Sequence, residues 1–189
     1  MKLSNDLRGM KMRSEQIVRQ YEDETHLYEY LMQHGEVSYA SYLDAAYRKV
    51  LALSAASFFE SKVSEIIIQY ARIVSGKDKR ITELVRRKVI ERQYHTLFEW
   101  KTKSTNSFWA LFGDDTKLKV KTELSQNAEL KEAEENFLYV GNLRNLIVHE
   151  NFAEYEICNI TAKEIYEKYR SACEFVTYIE TVLNPSFLK

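Results

Sequence analysis

Apolar residues recur along this chain mostly at spacings of three and four, a period that predicts helices from end to end. Ile17, Tyr21, Leu27, Tyr28 and Leu31 follow it loosely and predict a first helix over 11–33, closed by Gly35. Residues 38–75 predict one very long helix, or two with a bend. Its core stripe is Ala45, Ala46, Val50, Leu53, Ala56, Val63, Ile67, Tyr70, Ala71 and Val74, and Gly76 stands where a C-cap glycine would. A basic, mixed helical region covers 79–102. A short apolar piece over 106–113 follows, with Asn106 as N-cap and Gly113 as stop. A helix near 115–125 carries Lys117, Lys119 and Lys121, and Asn127 opens another over 128–150. Thr161 followed by Glu164 is a capping box that starts a final amphipathic helix to Leu183, ended by Asn184-Pro185.

Composition strengthens this reading. One proline and five glycines in 189 residues leave few interruptions, which favours long helices over a many-stranded β fold. A chain of this length buries enough surface to fold without disulfides or metal. No repeat, low-complexity tract or linker divides it. The expectation is one all-α domain over 1–189, an antiparallel helical bundle with long central helices.

The same features exclude several function classes. The first 16 residues are basic but lack the apolar core of a secretory signal. Residues 50–70 are the greasiest stretch, yet Glu60, Lys62 and Glu65 interrupt it, so no membrane span and no membrane partner are expected. Cys158 and Cys173 lack CxxC spacing and read as reduced, buried thiols of a cytoplasmic protein. His26, His34 and His95 have no ligand spacing among themselves or with the cysteines, so neither a metal nor another cofactor is expected. A net charge of −1 gives no whole-chain basic footprint, and an anionic partner would need a local patch.

The helix over 128–150 changes character midway. Its first half is polar. Its second half, Phe137 onward, is apolar on most sides. Phe137, Val140, Leu143, Ile147 and Val148 cluster on one face at about 100° per residue, while Leu138, Tyr139 and Leu146 point elsewhere. A helix apolar nearly all round is normally buried nearly all round, which predicts a partner subunit over the second face. Asn142, Asn145 and His149 fall within about 60° of each other, and Asn145 and His149 are one turn apart. Arg144 lies on the edge of the core stripe, with a side chain long enough to swing its guanidinium toward a neighbouring groove.

Arginine offers a rigid, permanently charged fork for phosphate oxygens, and histidine moves protons near neutral pH. Together they suffice for attack of a ribose 2′-OH on the adjacent phosphate, the arginine neutralising charge on the phosphorus oxygens. The alternative is structural: an arginine paired with a carboxylate and a histidine favoured at a helix C-terminus by the dipole. Glu60 or Glu65, in the long helix, is the candidate carboxylate for Arg144 or His149.

The stretch Gly141-Asn-Leu-Arg144-Asn145-Leu-Ile-Val-His149 resembles the signature of the HEPN superfamily (higher eukaryotes and prokaryotes nucleotide-binding domain). The order of elements over 40–183, with an aromatic segment at 108–113 ahead of the Arg-Asn helix, is similar to prokaryotic branches linked to phage defence and toxin systems. The resemblance implies a helical homodimer with two Arg–His pairs facing across the interface. It implies a metal-independent endoribonuclease that leaves a 2′,3′-cyclic phosphate on an RNA substrate. Arg144 would hold the scissile phosphate, Asn145 would orient the site, and His149 would serve as general acid or base. A non-catalytic dimerisation or RNA-binding module serving a partner protein is the second expectation, and a purely structural bundle the third. An antitoxin or defence-system partner is also implied, with one departure. Toxins of this kind that are silenced by AMP transfer carry a tyrosine two residues after the histidine. Here Asn151 holds that place, and Tyr155 is too far along to replace it.

Two basic segments complete the reading. Lys77, Lys79, Arg80, Arg86, Arg87, Lys88 and Arg92 form the stronger, and Lys117, Lys119 and Lys121 the lesser. Both would track an RNA backbone if Trp100, Phe108 or Trp109 stacked on bases; otherwise they are a solvated face over an aromatic core.

Overall fold

The computed structural model describes residues 14–184 except 92, 151 and 153. Arg92, Asn151 and Pro185, with the first turn expected over 11–13, lie outside them. The described residues form seven α-helices: α1 (Glu15–Gln33), α2 (Val37–Val74), α3 (Lys79–Val85), α4 (Asn106–Ala110), α5 (Asp114–Gln126), α6 (Ala128–His149) and α7 (Ala162–Leu183). A π-turn at Arg86–Ile90 extends α3, and a 3₁₀ turn at Tyr94–Thr96 follows. The fold is all-α, as the periodicity predicts.

Local chemistry sets the boundaries. Ser14 accepts from the Ile17 amide and starts α1. Gly35 turns the chain into α2 at φ +77°, a conformation that a side chain disfavours. Asn127 accepts from the Leu130 amide and starts α6. Thr161 and Glu164 form the reciprocal capping box of α7. At α4 the N-cap is Thr105 rather than Asn106, and it makes no side-chain capping bond, its hydroxyl donating to Glu134 instead.

Four long helices make the bundle. Phe59 of α2 meets Phe137 of α6 and Tyr169 of α7, with ring centroids 5.5 and 5.6 Å apart. Lys49 of α2 reaches Phe152 just beyond α6, so α6 runs antiparallel to α2. Arg48 of α2 reaches Ile157 and Ile160 just before α7, so α7 runs in the direction of α2. Tyr21 of α1 stacks on Tyr166 of α7 at 3.9 Å.

The buried stripe of α2 is partly displaced from the expected one. Ala45, Ala46 and Val50 are exposed, while Tyr47, Leu51, Ala52 and Ala55 are buried. Toward the C-terminal end the expectation holds at Ala56, Val63, Ile67 and Ala71. This helix is apolar on several sides, so periodicity alone leaves its orientation open, and packing against α7 decides it. On α6, Leu138 is fully buried within the chain and Val148 is exposed, the reverse of the wheel reading: Leu138 stands about 60° round the helix from Gly141, on the side where Trp100 packs. Of the two cysteines only Cys173 is buried; Cys158 lies exposed in the loop before α7.

Among the described residues no helix is long and apolar enough to cross a membrane, and no group of three or more His, Cys, Asp or Glu could hold a metal ion.

Candidate active site

Phe137, Gly141, Arg144, Asn145 and His149 all open from α6 onto one cleft of about 440 Å³. Ala56, Phe59 and Glu60 of α2 form a second wall, and Tyr94, His95 and Trp100 of the segment after the π-turn form the third.

Arg144 is half-buried and bends round the helix: its Nη1 donates to Asn145 Oδ1 at 3.1 Å. Among the described residues no carboxylate lies within the 4.0 Å of an ion pair. A guanidinium carries five N–H donors, so most of the fork stays available to a ligand. His149 is the last residue of α6 and is exposed at the cleft rim. The chain beyond it is clamped to α2. Lys49 Nζ donates to the Phe152 carbonyl at 2.8 Å and lies 5.2 Å above that ring, while Arg48 donates to the Ile157 carbonyl.

The third wall depends on a missing side chain. A Cβ on Gly141 would stand 2.0 Å from Trp100 Cζ3 and 2.4 Å from Cε3, so only glycine lets the indole lie against α6. Trp100 Nε1 in turn donates to the His95 carbonyl at 2.9 Å. His95 is therefore docked on the helix that carries Arg144 and His149. Beside it, Tyr94 is 8 % exposed, and its hydroxyl has no hydrogen-bond partner among the described residues. Burial pushes that hydroxyl far above its ordinary pKa; the charge of Glu60 adds to the shift and that of Arg144 opposes it. Tyr94, Glu60 and Arg144 are thus electrostatic neighbours.

Of the residues singled out in the sequence, Arg144, Asn145, His149 and Glu60 come together. Asn142 does not: it opens onto a separate groove with Tyr139, Leu146 and Tyr155. Glu65 is exposed and pairs with Lys62 at 2.8 Å. Trp100, Phe108 and Trp109 are buried in an aromatic core with Phe98 and Phe137, so none presents an exposed ring beside the basic segments. In the stronger basic segment Arg80 pairs with Asp78, and Arg86 and Arg87 pair with Glu83. His95 and Tyr94 carry no signal of their own in the sequence: His95 has no ligand spacing to the other histidines or the cysteines, and Tyr94 sits in a segment without clear period.

A cationic fork, two imidazoles, a carboxylate and a phenol around one cleft can hold a phosphate and move protons on either side of it. The family model described as RiboL-PSP-HEPN matches residues 19–185, nearly the whole chain. No curated protein and no solved structure matches it.

Proposed function

We propose, for a chain that belongs to the RiboL-PSP-HEPN family and so to the HEPN superfamily, a metal-independent endoribonuclease centred on Arg144, Asn145 and His149. The observation that carries the reading is the shared cleft in which the Arg144 fork, without a carboxylate partner among the described residues, stands with His149 and His95.

Arg144 binds the two free oxygens of the scissile phosphate, and Asn145 holds its guanidinium by the 3.1 Å hydrogen bond. One imidazole takes the 2′-OH proton as the 2′-oxygen attacks phosphorus. The bond from phosphorus to the 5′-oxygen breaks, and a second imidazole protonates that leaving oxygen. The products are a 2′,3′-cyclic phosphate and a 5′-OH. His149 fills one role and His95, whose backbone carbonyl accepts from the Trp100 indole packed on α6, the other.

Next to His149 the exposed apolar side chains Leu146, Val148 and Phe152 would be covered by a second copy, in a homodimer that brings two such clefts together. A toxin or defence effector in the cytoplasm, held by an antitoxin or a defence-system partner, is the setting that fits such an enzyme. Sedimentation of the wild type should give a dimer, and Leu146→Glu a folded monomer; a monomeric wild type removes the dimer from the proposal.

Purified protein in EDTA should cleave single-stranded RNA to cyclic-phosphate ends. Arg144→Ala should lower the rate by about 10²–10³ and His149→Ala by about 10²–10⁴, each with the helical spectrum intact. Activity that needs added metal, or that survives both substitutions, removes the assignment. The same exposed apolar side chains would also serve a non-catalytic dimerisation or RNA-binding module, which predicts the dimer without turnover.

A further inference from the structure

A second cavity, of about 680 Å³, lies between α4, α5 and the start of α6. Four lysines line it: Lys103 from the turn before α4, Lys117 and Lys121 from α5, and Lys131 from α6. One carboxylate, Glu134, faces them, and it is fully engaged. It is 3 % exposed, accepts from the Thr105 hydroxyl, and pairs with Lys131 at 2.6 Å. Lys103, Lys117 and Lys121 have no carboxylate within ion-pair distance among the described residues. Trp109 also lines the cavity; it is 1 % exposed, and its indole N–H has no acceptor among the described residues. Three unpaired ammonium groups around one cavity repel each other unless an anion joins them, and a buried donor without an acceptor carries a desolvation cost that such an anion can relieve.

The cavity and the arginine cleft share their walls. The segment from Tyr94 to Asn106 contributes Tyr94, His95 and Trp100 to the cleft, then Lys103 and Thr105 to the cavity. On α6, Glu134 lines the cavity, while Gly141 and Asn145, seven and eleven positions later, line the cleft. At about 100° per residue these three lie within about 20° of one line along the helix, and Asn145 is about 17 Å from Glu134. The two sites therefore open along the same side of α6.

We propose that the lysine cavity is a phosphate-binding subsite for the backbone of the RNA strand whose scissile phosphate sits at Arg144. It rests on the nuclease reading for its substrate, but its own readout is binding. Lys103, Lys117 and Lys121 supply positive charge to backbone phosphates several nucleotides from the cut, and the buried Trp109 offers no exposed ring face to a base. Compact ammonium groups suit that use: they attract a phosphate as point charges and impose no sequence preference.

The test compares the His149→Ala protein, which leaves RNA intact, with the same protein carrying Lys103→Gln, Lys117→Gln and Lys121→Gln. Binding of a fluorescent 20-nucleotide single-stranded RNA is followed by anisotropy across salt concentrations. The triple substitution should weaken binding by about tenfold or more at physiological salt and make the log–log salt slope shallower by about 2, since each lost phosphate contact on a single strand accounts for about 0.7. A control with Arg19→Gln, Arg72→Gln and Lys163→Gln removes as many charges outside the cavity and should keep both affinity and slope. On the otherwise wild-type chain, the cavity substitutions should raise KM for the 20-mer and leave cleavage of a dinucleotide unchanged. Equal affinity in the cavity variant, equal loss in the control, or no binding by the parent protein overturns the proposal, as would an acidic protein partner that the cavity variant loses while RNA binding persists. Failure of the wild type to cut any RNA defeats the nuclease assignment instead, and the anisotropy result stands apart from it.

Discussion

The Trp100 indole lies in the space that a side chain on Gly141 would fill, and this one contact joins the segment carrying His95 to the helix carrying Arg144 and His149. Gly141→Ala tests it. In an open helix the change would add up to about 1 kcal/mol of stability. Here the methyl group must displace a buried ring, an overpacking cost of about 1–3 kcal/mol. The expected net effect is a loss of about 1–2 kcal/mol, or several degrees in Tm, together with a fall in RNA cleavage as His95 moves. Thermal denaturation followed by circular dichroism checks the sign; a stabilised variant would mean that the indole has room to yield.

His95→Gln separates the two imidazoles. Two histidines acting as base and acid give a bell-shaped rate profile, because one must be neutral and the other charged. The variant should lose one limb of that profile and about 10²–10⁴ in rate. If His95 protonates the leaving oxygen, an RNA with sulfur in place of the 5′-oxygen at the cut should restore most of the loss, since a thiolate leaves without a proton. An unaltered profile would assign His95 to the wall alone.

Tyr94→Phe removes a buried hydroxyl that lacks a partner among the described residues. Deleting such a group relieves a desolvation cost of about 1–3 kcal/mol, so the folded protein should gain stability or stay level. Cleavage should nevertheless fall if the hydroxyl donates to bound RNA beside Arg144. Stability and rate moving in opposite directions, read from urea unfolding and from kcat, are the signature of a site residue; a fall in both would mark a packing role.

The capping box of α7 predicts a pH dependence. Hydrogen bonds from the Thr161 amide, and then from its hydroxyl, hold the Glu164 carboxyl below its ordinary value of 4.5. A carboxyl whose pKa is depressed by folding stabilises the native state above the unfolded value and loses that contribution as pH falls through the folded one. Glu164→Ala should therefore be less stable than the wild type at pH 7, and the gap should narrow as the pH drops below about 4.5. Urea midpoints at pH 7, 5 and 3 read this directly; a gap independent of pH would place the effect in helix propensity.

Local chemistry made much of this protein legible in advance. The capping box at Thr161, the cap at Asn127, the turn at Gly35 and the spacing of Arg144, Asn145 and His149 depend on neighbours within about one helical turn, which one sequence contains in full. The lysines at 117 and 121 were equally visible, but not the cavity they line, because Lys103 and Lys131 join them from other elements.

What only the tertiary structure decided concerns contacts between elements far apart in the chain. Which face of α2 is buried was undetermined where Ala45, Ala46 and Val50 looked as apolar as Tyr47 and Leu51. Asn142 shared a helical wheel sector with Asn145 and His149, yet opens onto another groove. Tyr94 and His95 stand in a segment without period and reach the cleft only because Trp100 fits against a glycine 41 positions later. A helical period records how one side chain stands to the next along one axis. It carries no information about which other axis will lie beside it, and in this chain that neighbour completes the cleft.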